Sequence, residues 1–218
     1  MREESIASRL ATVRAGIPPG VTLVAVSKSQ PPEAIREAYA AGQRVFGENY
    51  VQEWRDKADA LSDLPDLEWH FVGSLQTNKV KYLAGRVGLI HTVDREELGR
   101  EISRRFGSRQ ATARVLLEVN VGREAAKAGC EPAAVPELLR SLLGLPHLTV
   151  AGLMCIPPAD GDPRPFFDAL RELGRSLGLP ELSMGMSADY PVAIEAGATV
   201  VRVGTAIFGE RRPRADAG

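Results

Sequence analysis

Apolar residues along this chain fall into eight short runs, and a segment with helical spacing separates each run from the next. The runs span residues 21–28, 44–49, 68–74, 87–93, 114–120, 149–156, 182–187 and 199–205. Runs this short and this apolar are typical of strands buried on both faces, as in parallel sheets. The pattern therefore predicts eight strands.

The alternation of strands with helices predicts parallel pairing through helical crossovers. Eight such units favour a closed (β/α)8 barrel, or TIM barrel, as a single domain over residues 1–218. A helix at 3–15 precedes the barrel at 21–208, and residues 211–218 are predicted to be a frayed tail. An open doubly wound sheet is the alternative, but it needs a glycine-rich turn after the first strand, and VSKSQPP has no glycine.

Two helix boundaries rest on specific residues. Pro31 and Pro32 favour a helix start, and Gly42 has the position of the residue just after its end. Asp94 resembles an N-cap, because Glu96 and Glu97 follow in the first turn of a helix that reaches residue 106.

Composition and charge exclude several classes of protein. The 27 basic and 28 acidic residues leave a formal net charge of −1, so no global field favours nucleic acid or a membrane surface. The charged start MREESIASRL lacks the apolar stretch of a signal peptide. Two cysteines fit a reducing compartment. We therefore expect a cytoplasmic, monomeric protein that binds no nucleic acid and no membrane.

Polar residues gather where the predicted strands end. They include Lys28, Asn49, Ser74, Asp94, Asn120, Ser187 and Thr205. Binding and catalytic groups of a (β/α)8 barrel lie at the C-terminal ends of its strands, so the site is expected there. Closure of the barrel would place strand eight beside strand one. Lys28 would then face Arg202, Gly204 and Thr205.

The last two loops predict a phosphate cradle. The segments SMGMSADYP and RVGTAIFG carry glycines that allow close backbone approach, and Ser187 and Thr205 add hydroxyl donors. Partial burial and the neighbouring Arg202 both favour the neutral, nucleophilic form of Lys28. A Schiff base between Lys28 and a phosphorylated aldehyde is the hypothesis that results. The alternative is an ordinary solvated lysine at the rim.

Eight motifs together resemble the pyridoxal-phosphate homeostasis protein family, also called the YggS/PROSC family, from about Val21 to Arg211. They are VAVSK, FGENYVQE, EWHFVGSLQTNK, HTVD, KAG, GLMCIP, LSMGMSADY and VRVGTAIFGER. The resemblance implies a fold similar to the N-terminal barrel of alanine racemase, fold-type III of the proteins that bind pyridoxal 5'-phosphate (PLP). It also implies a protein that holds PLP and takes part in vitamin B6 balance without clear catalytic turnover.

The resemblance also assigns residues to PLP. Lys28 matches the lysine that forms the Schiff base, and Ser187, Gly204 and Thr205 match positions that hold the phosphate. PLP-dependent apoenzymes are the candidate partners that the family suggests.

The resemblance also places three further residues near PLP, without a single defined contact for each. Arg202 matches an arginine near the pyridine nitrogen or the phosphate, and we favour the nitrogen. Asn49 matches a residue near the ring, and Met186 is expected to line the pocket near the phosphate. An arginine that donates to the nitrogen leaves it unprotonated, so the cofactor is a weaker electron sink.

Two other functions remain open at this point. A fold-type III enzyme, such as an amino-acid racemase, needs a second proton-transfer group opposite Lys28 and a second, β-rich domain. The chain ends about ten residues after Phe208, so we expect that domain to be absent. Tyr50, Asp189 and Tyr190 are rim candidates for which we expect structural roles. A class I aldolase-like barrel would use Lys28 with a sugar phosphate, although such lysines usually lie later in the barrel.

The remaining singular residues are interpreted as structural. The three histidines are isolated in sequence without metal-ligand spacing, so no metal site is predicted; they are His70, His91 and His147. Cys155 is expected to be a buried, inert thiol. Lys79 and Lys81 are expected on a solvated helix face.

Overall fold

Eight parallel strands close into a barrel in the computed structural model, which describes residues 4–210. The strand order around the barrel follows the chain, and the first and last strands pair in parallel. The strands are β1 (Thr22–Val26), β2 (Val45–Glu48), β3 (Glu68–Phe71), β4 (Leu89–Val93), β5 (Ala113–Val119), β6 (Leu148–Cys155), β7 (Glu181–Ser183) and β8 (Val200–Val203). The predicted (β/α)8 barrel is confirmed.

Helices follow the strands and cover the outside of the barrel. They are α1 (Ile6–Ala15), α2 (Pro32–Ala40), α3 (Val51–Ala60), α4 (Val80–Leu83), α5 (Glu96–Gly107), α6 (Val135–Leu142), α7 (Arg164–Leu177), α8 (Tyr190–Glu195) and α9 (Thr205–Phe208). Short 3-10 turns at Thr77–Lys79 and Pro132–Ala134 precede α4 and α6. Across residues 4–210, no helix has the length and apolar character needed to cross a membrane.

The helix boundaries test the two predictions made from capping signals. Helix α2 begins at Pro32 and Gly42 follows it with a φ of 93°, as predicted. The N-cap prediction for Asp94 is wrong, since the N-cap of α5 is Arg95. The Asp94 carboxylate instead accepts a hydrogen bond from the Arg95 guanidinium at 2.6 Å.

The N-terminal helix is shorter than predicted. Helix α1 begins at Ile6, where the Ser5 hydroxyl accepts from the backbone N–H of Ser8 at 3.2 Å. The capping serine therefore starts the helix later than the predicted residue 3. The predicted frayed tail at 211–218 lies outside the described residues and stays a prediction.

The last two strands are shorter than predicted. β8 ends at Val203, and the chain turns at Gly204 into the one-turn helix α9, whose first hydrogen bonds reach the Gly204 carbonyl. β7 ends at Ser183, and Gly185 adopts a φ of 91° that few other residues tolerate. Non-strand segments thus replace predicted strand residues after β7 and β8, and Gly204 of the second segment lies against Val26 at the end of β1.

The hydrophobic core lies between the strands and the surrounding helices. Its largest fully buried side chains include Trp54, Phe46, Phe71, Phe106 and Phe167. Inside the barrel, the apolar cluster is small and consists of Leu89, Leu116 and Met154. The outer shell therefore provides most of the apolar burial, and the barrel interior has space for polar groups.

Candidate functional site

Lys28, Gly204 and Thr205 line one small cavity, of about 30 Å³, between the ends of β1 and β8. The pairing of Val24 with Arg202 and of Ala25 with Val203 sets the register of these two strands. Closure of the barrel therefore brings the lysine to the two residues predicted to hold a phosphate. Arg202 lies within β8, before Gly204, and does not line this cavity.

Two backbone N–H groups converge beside the cavity. The Ser187 hydroxyl oxygen accepts from the N–H of Gly204 at 3.2 Å and from the N–H of Ala206 at 3.3 Å. These contacts tie the loop after β7 to the loop after β8. N–H groups that converge on one oxygen are suited to a phosphate oxygen. A Cβ at Gly204 would lie 3.1 Å from the Val26 carbonyl, so this position is crowded.

Met186 and Asp189 shape the same loop from its outer side. The Asp189 carboxylate accepts from the backbone N–H of Met186 at 2.6 Å, which is the structural role expected for Asp189. The Met186 side chain is 37% exposed and is not among the residues that line the small cavity. Its predicted place near a phosphate stays a prediction.

The backbone on either side of Lys28 is held by side chains from β2 and α3. The Ser27 hydroxyl donates to Glu48 Oε1 at 2.7 Å, and the Ser29 N–H donates to Glu53 Oε1 at 2.5 Å. Ser29 has a φ of 61°, a left-handed conformation that a serine adopts only with support from its surroundings. The turn that carries Lys28 is thus fixed at both neighbours.

A buried lysine, Lys57, joins these contacts. Its ammonium group donates to the Ser27 carbonyl at 2.6 Å, to Glu48 Oε1 at 2.7 Å and to Glu53 Oε1 at 2.6 Å. Burial raises the pKa of Glu48, while Lys57 and the Ser27 hydroxyl oppose that rise. We call Lys57, Glu48 and Glu53 the clamp.

The sequence analysis did not identify the clamp. Lys57 follows Glu53 by four residues, which is also the spacing of an ordinary surface ion pair on a helix. Glu48 ends an apolar strand, and that position was the only signal that could have marked it.

Arg202 is 5% exposed and points across the interior of the barrel. One guanidinium nitrogen donates to the Ser183 hydroxyl at 2.6 Å, and the other donates to the Cys155 carbonyl at 2.9 Å. These partners lie on β7 and β6, away from the converging N–H groups of Gly204 and Ala206. Burial lowers the pKa of Arg202, but an arginine remains charged.

Cys155 behaves as predicted for an inert thiol. Its side chain is fully buried, and burial raises the pKa of the thiol to about 12. A thiol that stays protonated is a poor nucleophile. Its contribution to the site is the backbone carbonyl that accepts from Arg202.

A second cavity, of about 250 Å³, opens next to Asn49. Its lining includes Thr92, Glu118 and Lys127. The Asn49 Oδ1 atom is buried and has no hydrogen-bond partner within the described part of the chain. A buried oxygen of this kind is satisfied by a ligand or by water.

Glu118 is a site residue that the sequence analysis missed. It is 7% exposed, and burial together with the negative charge of Asp94 raises its pKa to about 7, against the opposing charge of Arg202. The signal was present as a single acidic residue within the apolar run RVLLEVN. A carboxyl group with this pKa can both accept and donate a proton near neutral pH.

The histidines are not isolated in space. His70 Nδ1 and His91 Nε2 are 3.0 Å apart in the barrel interior, because adjacent strands β3 and β4 carry them. His147 is exposed. Over residues 4–210, no group of three or more His, Cys, Asp or Glu side chains could hold a metal ion.

Comparison with known proteins gives one consistent result. The family model for the N-terminal domain of alanine racemase matches residues 2–212. The pyridoxal phosphate homeostasis protein of Aquifex aeolicus is 54% identical over 199 residues, which cover 87% of each chain. The structure of PipY from Synechococcus elongatus PCC7942 with PLP bound has 42% identity and a TM-score of 0.87, covering 94% of this chain and all of PipY.

A more distant comparison concerns the fold alone. The alanine racemase of Corynebacterium glutamicum is 17% identical, with a TM-score of 0.72. The match covers 96% of this chain and 62% of the racemase. The barrel is therefore similar to a part of that enzyme.

Proposed function

The chain belongs to the family of the alanine racemase N-terminal domain and, within it, to the pyridoxal phosphate homeostasis proteins, and we propose that it binds PLP through Lys28. In this proposal the protein holds the cofactor as a Schiff base and takes part in PLP homeostasis. The observation that carries the proposal is the cavity that Lys28 shares with Gly204 and Thr205. An amine and a phosphate cradle in contact are what a phosphorylated aldehyde needs.

The residues present fit both reactive ends of PLP, its aldehyde and its phosphate. When bound, PLP supplies an aldehyde that condenses with the Lys28 amine, with loss of water. The N–H groups of Gly204 and Ala206 and the hydroxyls of Ser187 and Thr205 would hold the phosphate.

Two buried polar groups support a place for the ring. The unpartnered Asn49 Oδ1 would receive a hydrogen bond from the bound cofactor or from a water beside it. Arg202 contacts neither Ser187 nor Gly204, and its direction toward β6 and β7 favours the pyridine nitrogen over the phosphate.

The same arginine supports a holder of PLP rather than an enzyme. A permanently charged donor at the ring nitrogen keeps this nitrogen unprotonated and weakens the ring as an electron sink. The relatives are named homeostasis proteins, which agrees with a role other than turnover. Exchange of PLP with apoenzymes, a monomeric state and a cytoplasmic location remain predictions.

One observation favours a second candidate, an enzyme that acts on an amino acid. Glu118 is a buried carboxyl group with a pKa of about 7, and it lies close enough to Arg202 to interact with its charge. Such a group could exchange the α-proton of an amino acid. Deuterium exchange into amino acids by the PLP-loaded protein, lost in Glu118→Gln, would support the enzyme; no exchange supports the holder.

A titration with PLP tests the proposed function. We expect the wild-type protein to become yellow, with the absorbance of a Schiff base at one PLP per chain. Lys28→Ala should lose this absorbance, while Lys79→Ala, a change on the surface near Tyr82, should keep it. A wild-type protein that stays colourless would exclude PLP binding through an amine.

A further inference from the structure

A continuous line of hydrogen bonds crosses the interior of the barrel from Arg202 to Glu68. Arg202 contacts the Ser183 hydroxyl at 2.6 Å, Ser183 contacts His91 Nδ1 at 2.9 Å, and His91 Nε2 contacts His70 Nδ1 at 3.0 Å. His70 Nε2 then contacts Glu68 Oε1 at 3.0 Å. We call these five residues the relay.

The relay connects the two ends of the barrel. Glu68 is the first residue of β3, and its side chain is 48% exposed. It lines a hollow of about 360 Å³ at the N-terminal ends of the strands, together with His70 and Arg114. Arg202 lies near the opposite, C-terminal ends of the strands. The carboxylate is therefore in contact with solvent, while the arginine is buried.

With one proton on each imidazole ring, the ionised Glu68 at one end sets the direction of every hydrogen bond in the relay. The hydrogen bond from His70 lowers the pKa of Glu68, so its carboxylate is ionised and only accepts. His70 then carries its single proton on Nε2, which leaves Nδ1 to accept from Nε2–H of His91. Nδ1 of His91 in turn accepts from the hydroxyl of Ser183.

The hydrogen bonds at the Arg202 end of the relay are consistent with this direction. The guanidinium of Arg202 has only donors, so Ser183 Oγ accepts from it and keeps its own proton for a hydrogen bond to His91 Nδ1. Each member thus donates one proton toward Glu68, with the single proton of each imidazole ring on Nε2. Burial lowers the pKa of His91 strongly, and the positive charge of Arg202 lowers it further. That effect keeps His91 neutral.

Arg202 consequently has neutral partners. Its guanidinium donates to the Ser183 hydroxyl and to the Cys155 carbonyl, and the ionised Glu68 lies three hydrogen bonds beyond Ser183. A carboxylate in direct contact would offset the charge of the guanidinium. A line of neutral hydrogen-bonding groups fixes the orientation of the guanidinium and leaves its positive charge available to act on other groups nearby.

We propose that Ser183, His91 and His70 are positioning residues for Arg202, and that their one-directional hydrogen bonds hold its guanidinium toward the ring of bound PLP. This inference rests on the proposed function, since the ring is what Arg202 is positioned to meet. The relay itself is a property of the protein alone. It can therefore be tested without the cofactor.

The first experiment measures the histidine protons of the protein without PLP. The chain contains three histidines, so ¹⁵N-labelled histidine gives three sets of ring signals in a long-range ¹H–¹⁵N spectrum. We expect His70 and His91 to be neutral with the proton on Nε2 at pH 7, while exposed His147 provides the solvent reference. A proton on Nδ1 of either ring, or a charged ring, would overturn the relay.

The second experiment asks whether the relay acts on Arg202. His91→Leu removes the acceptor of Ser183, and we expect PLP binding to weaken on the order of tenfold, the equivalent of one hydrogen bond to a charged group. The absorption maximum of bound PLP should also shift. His91→Asn places an acceptor near the position of Nδ1 and should restore part of both effects.

His147→Asn is the matched control, since it changes a histidine outside the relay and should leave affinity and spectrum unchanged. The positioning role would be contradicted if His91→Leu kept the wild-type affinity for PLP and an unchanged absorption spectrum. It would also be contradicted if His91→Asn bound PLP no more tightly than His91→Leu. If the wild-type protein does not bind PLP, the proposed function fails, whereas the histidine spectrum still decides whether the relay exists.

Discussion

The two basic residues of the candidate site, Lys28 and Arg202, are supported in different ways. The clamp beneath Lys28 consists of full charges, with the Lys57 ammonium between Glu48 and Glu53. The relay behind Arg202 consists of neutral groups until it reaches Glu68 at the solvent-exposed end of the barrel. The clamp fixes the backbone on either side of Lys28, whereas the relay fixes the guanidinium group of Arg202.

The difference has an energetic consequence. Removal of one charge from a buried ion pair leaves its partner without compensation, which costs more than the pair itself contributes. Removal of one neutral hydrogen-bonding group leaves a smaller penalty. We therefore expect changes in the clamp to act mainly on folding and changes in the relay to act mainly on the bound ligand.

The largest effect is expected for Lys57→Met. The change leaves the buried Glu48 and the partly buried Glu53 without their cation, and we expect a loss of about 3–5 kcal/mol in the free energy of unfolding. Urea denaturation at pH 7 measures it, with Lys81→Met as the control for an exposed lysine. A loss below that of the relay variants would show that the clamp is not a structural ion cluster.

Glu118→Gln should change how stability depends on pH. Because the pKa of Glu118 is raised to about 7 in the folded protein, the folded state binds more protons than the unfolded state between the two pKa values. Stability contributed by this group therefore falls as the pH rises from about 4.5 to 7. The glutamine variant should be more stable at pH 8 by roughly 3 kcal/mol and little changed at pH 4.

Denaturation at a series of pH values measures the effect of Glu118→Gln on the protein without PLP. Glu97→Gln, which changes an exposed glutamate at the start of α5, is the control. Equal pH profiles for the wild type and Glu118→Gln would show that the carboxyl group titrates as it does in the unfolded chain.

Ser183→Ala should have a smaller effect on folding than Lys57→Met. It removes one acceptor from the buried Arg202 and one donor from His91, and we expect a loss of about 1–3 kcal/mol in the free energy of unfolding. The same variant should weaken PLP binding, which Lys79→Ala should not. Calorimetric titration with PLP separates the two effects. A stability loss as large as that of Lys57→Met would remove the distinction between clamp and relay.

The smallest effect on stability is expected for Gly204→Ala. The added Cβ would lie 3.1 Å from the Val26 carbonyl, so the backbone has to shift by a few tenths of an ångström, at a cost of about 1 kcal/mol. Because the Gly204 N–H belongs to the proposed phosphate cradle, binding of inorganic phosphate and of PLP should weaken together. Gly144→Ala, where a Cβ meets nothing within 4 Å, is the control.

The fold and the neighbours of Lys28 could be predicted because the information is local. Eight apolar runs separated by helical segments specify the barrel, and closure alone places Gly204 and Thr205 beside Lys28. The strand ends were less certain, since Gly204 and Thr205 continue an apolar run in sequence but form a turn and a helix in space. Turn geometry of this kind depends on contacts with β1.

The clamp and the relay could not be predicted because both depend on distant pairs. His91 and Ser183 are separated by 92 residues and meet only through the interior of a closed barrel. Lys57 has the sequence environment of a surface lysine, and its burial follows from how α3 packs on the end of β1. Register and helix packing, rather than residue type, decide which polar residues belong to the site.

Reduction with borohydride followed by peptide mass spectrometry tests the central claim most directly. Borohydride converts a Schiff base into a stable secondary amine, so a lysine that holds PLP keeps the cofactor through digestion. We predict that the added mass is found on the peptide containing Lys28 and that it is absent from Lys28→Ala. Attachment of PLP to a different lysine, or no attachment in protein saturated with PLP, would contradict the account.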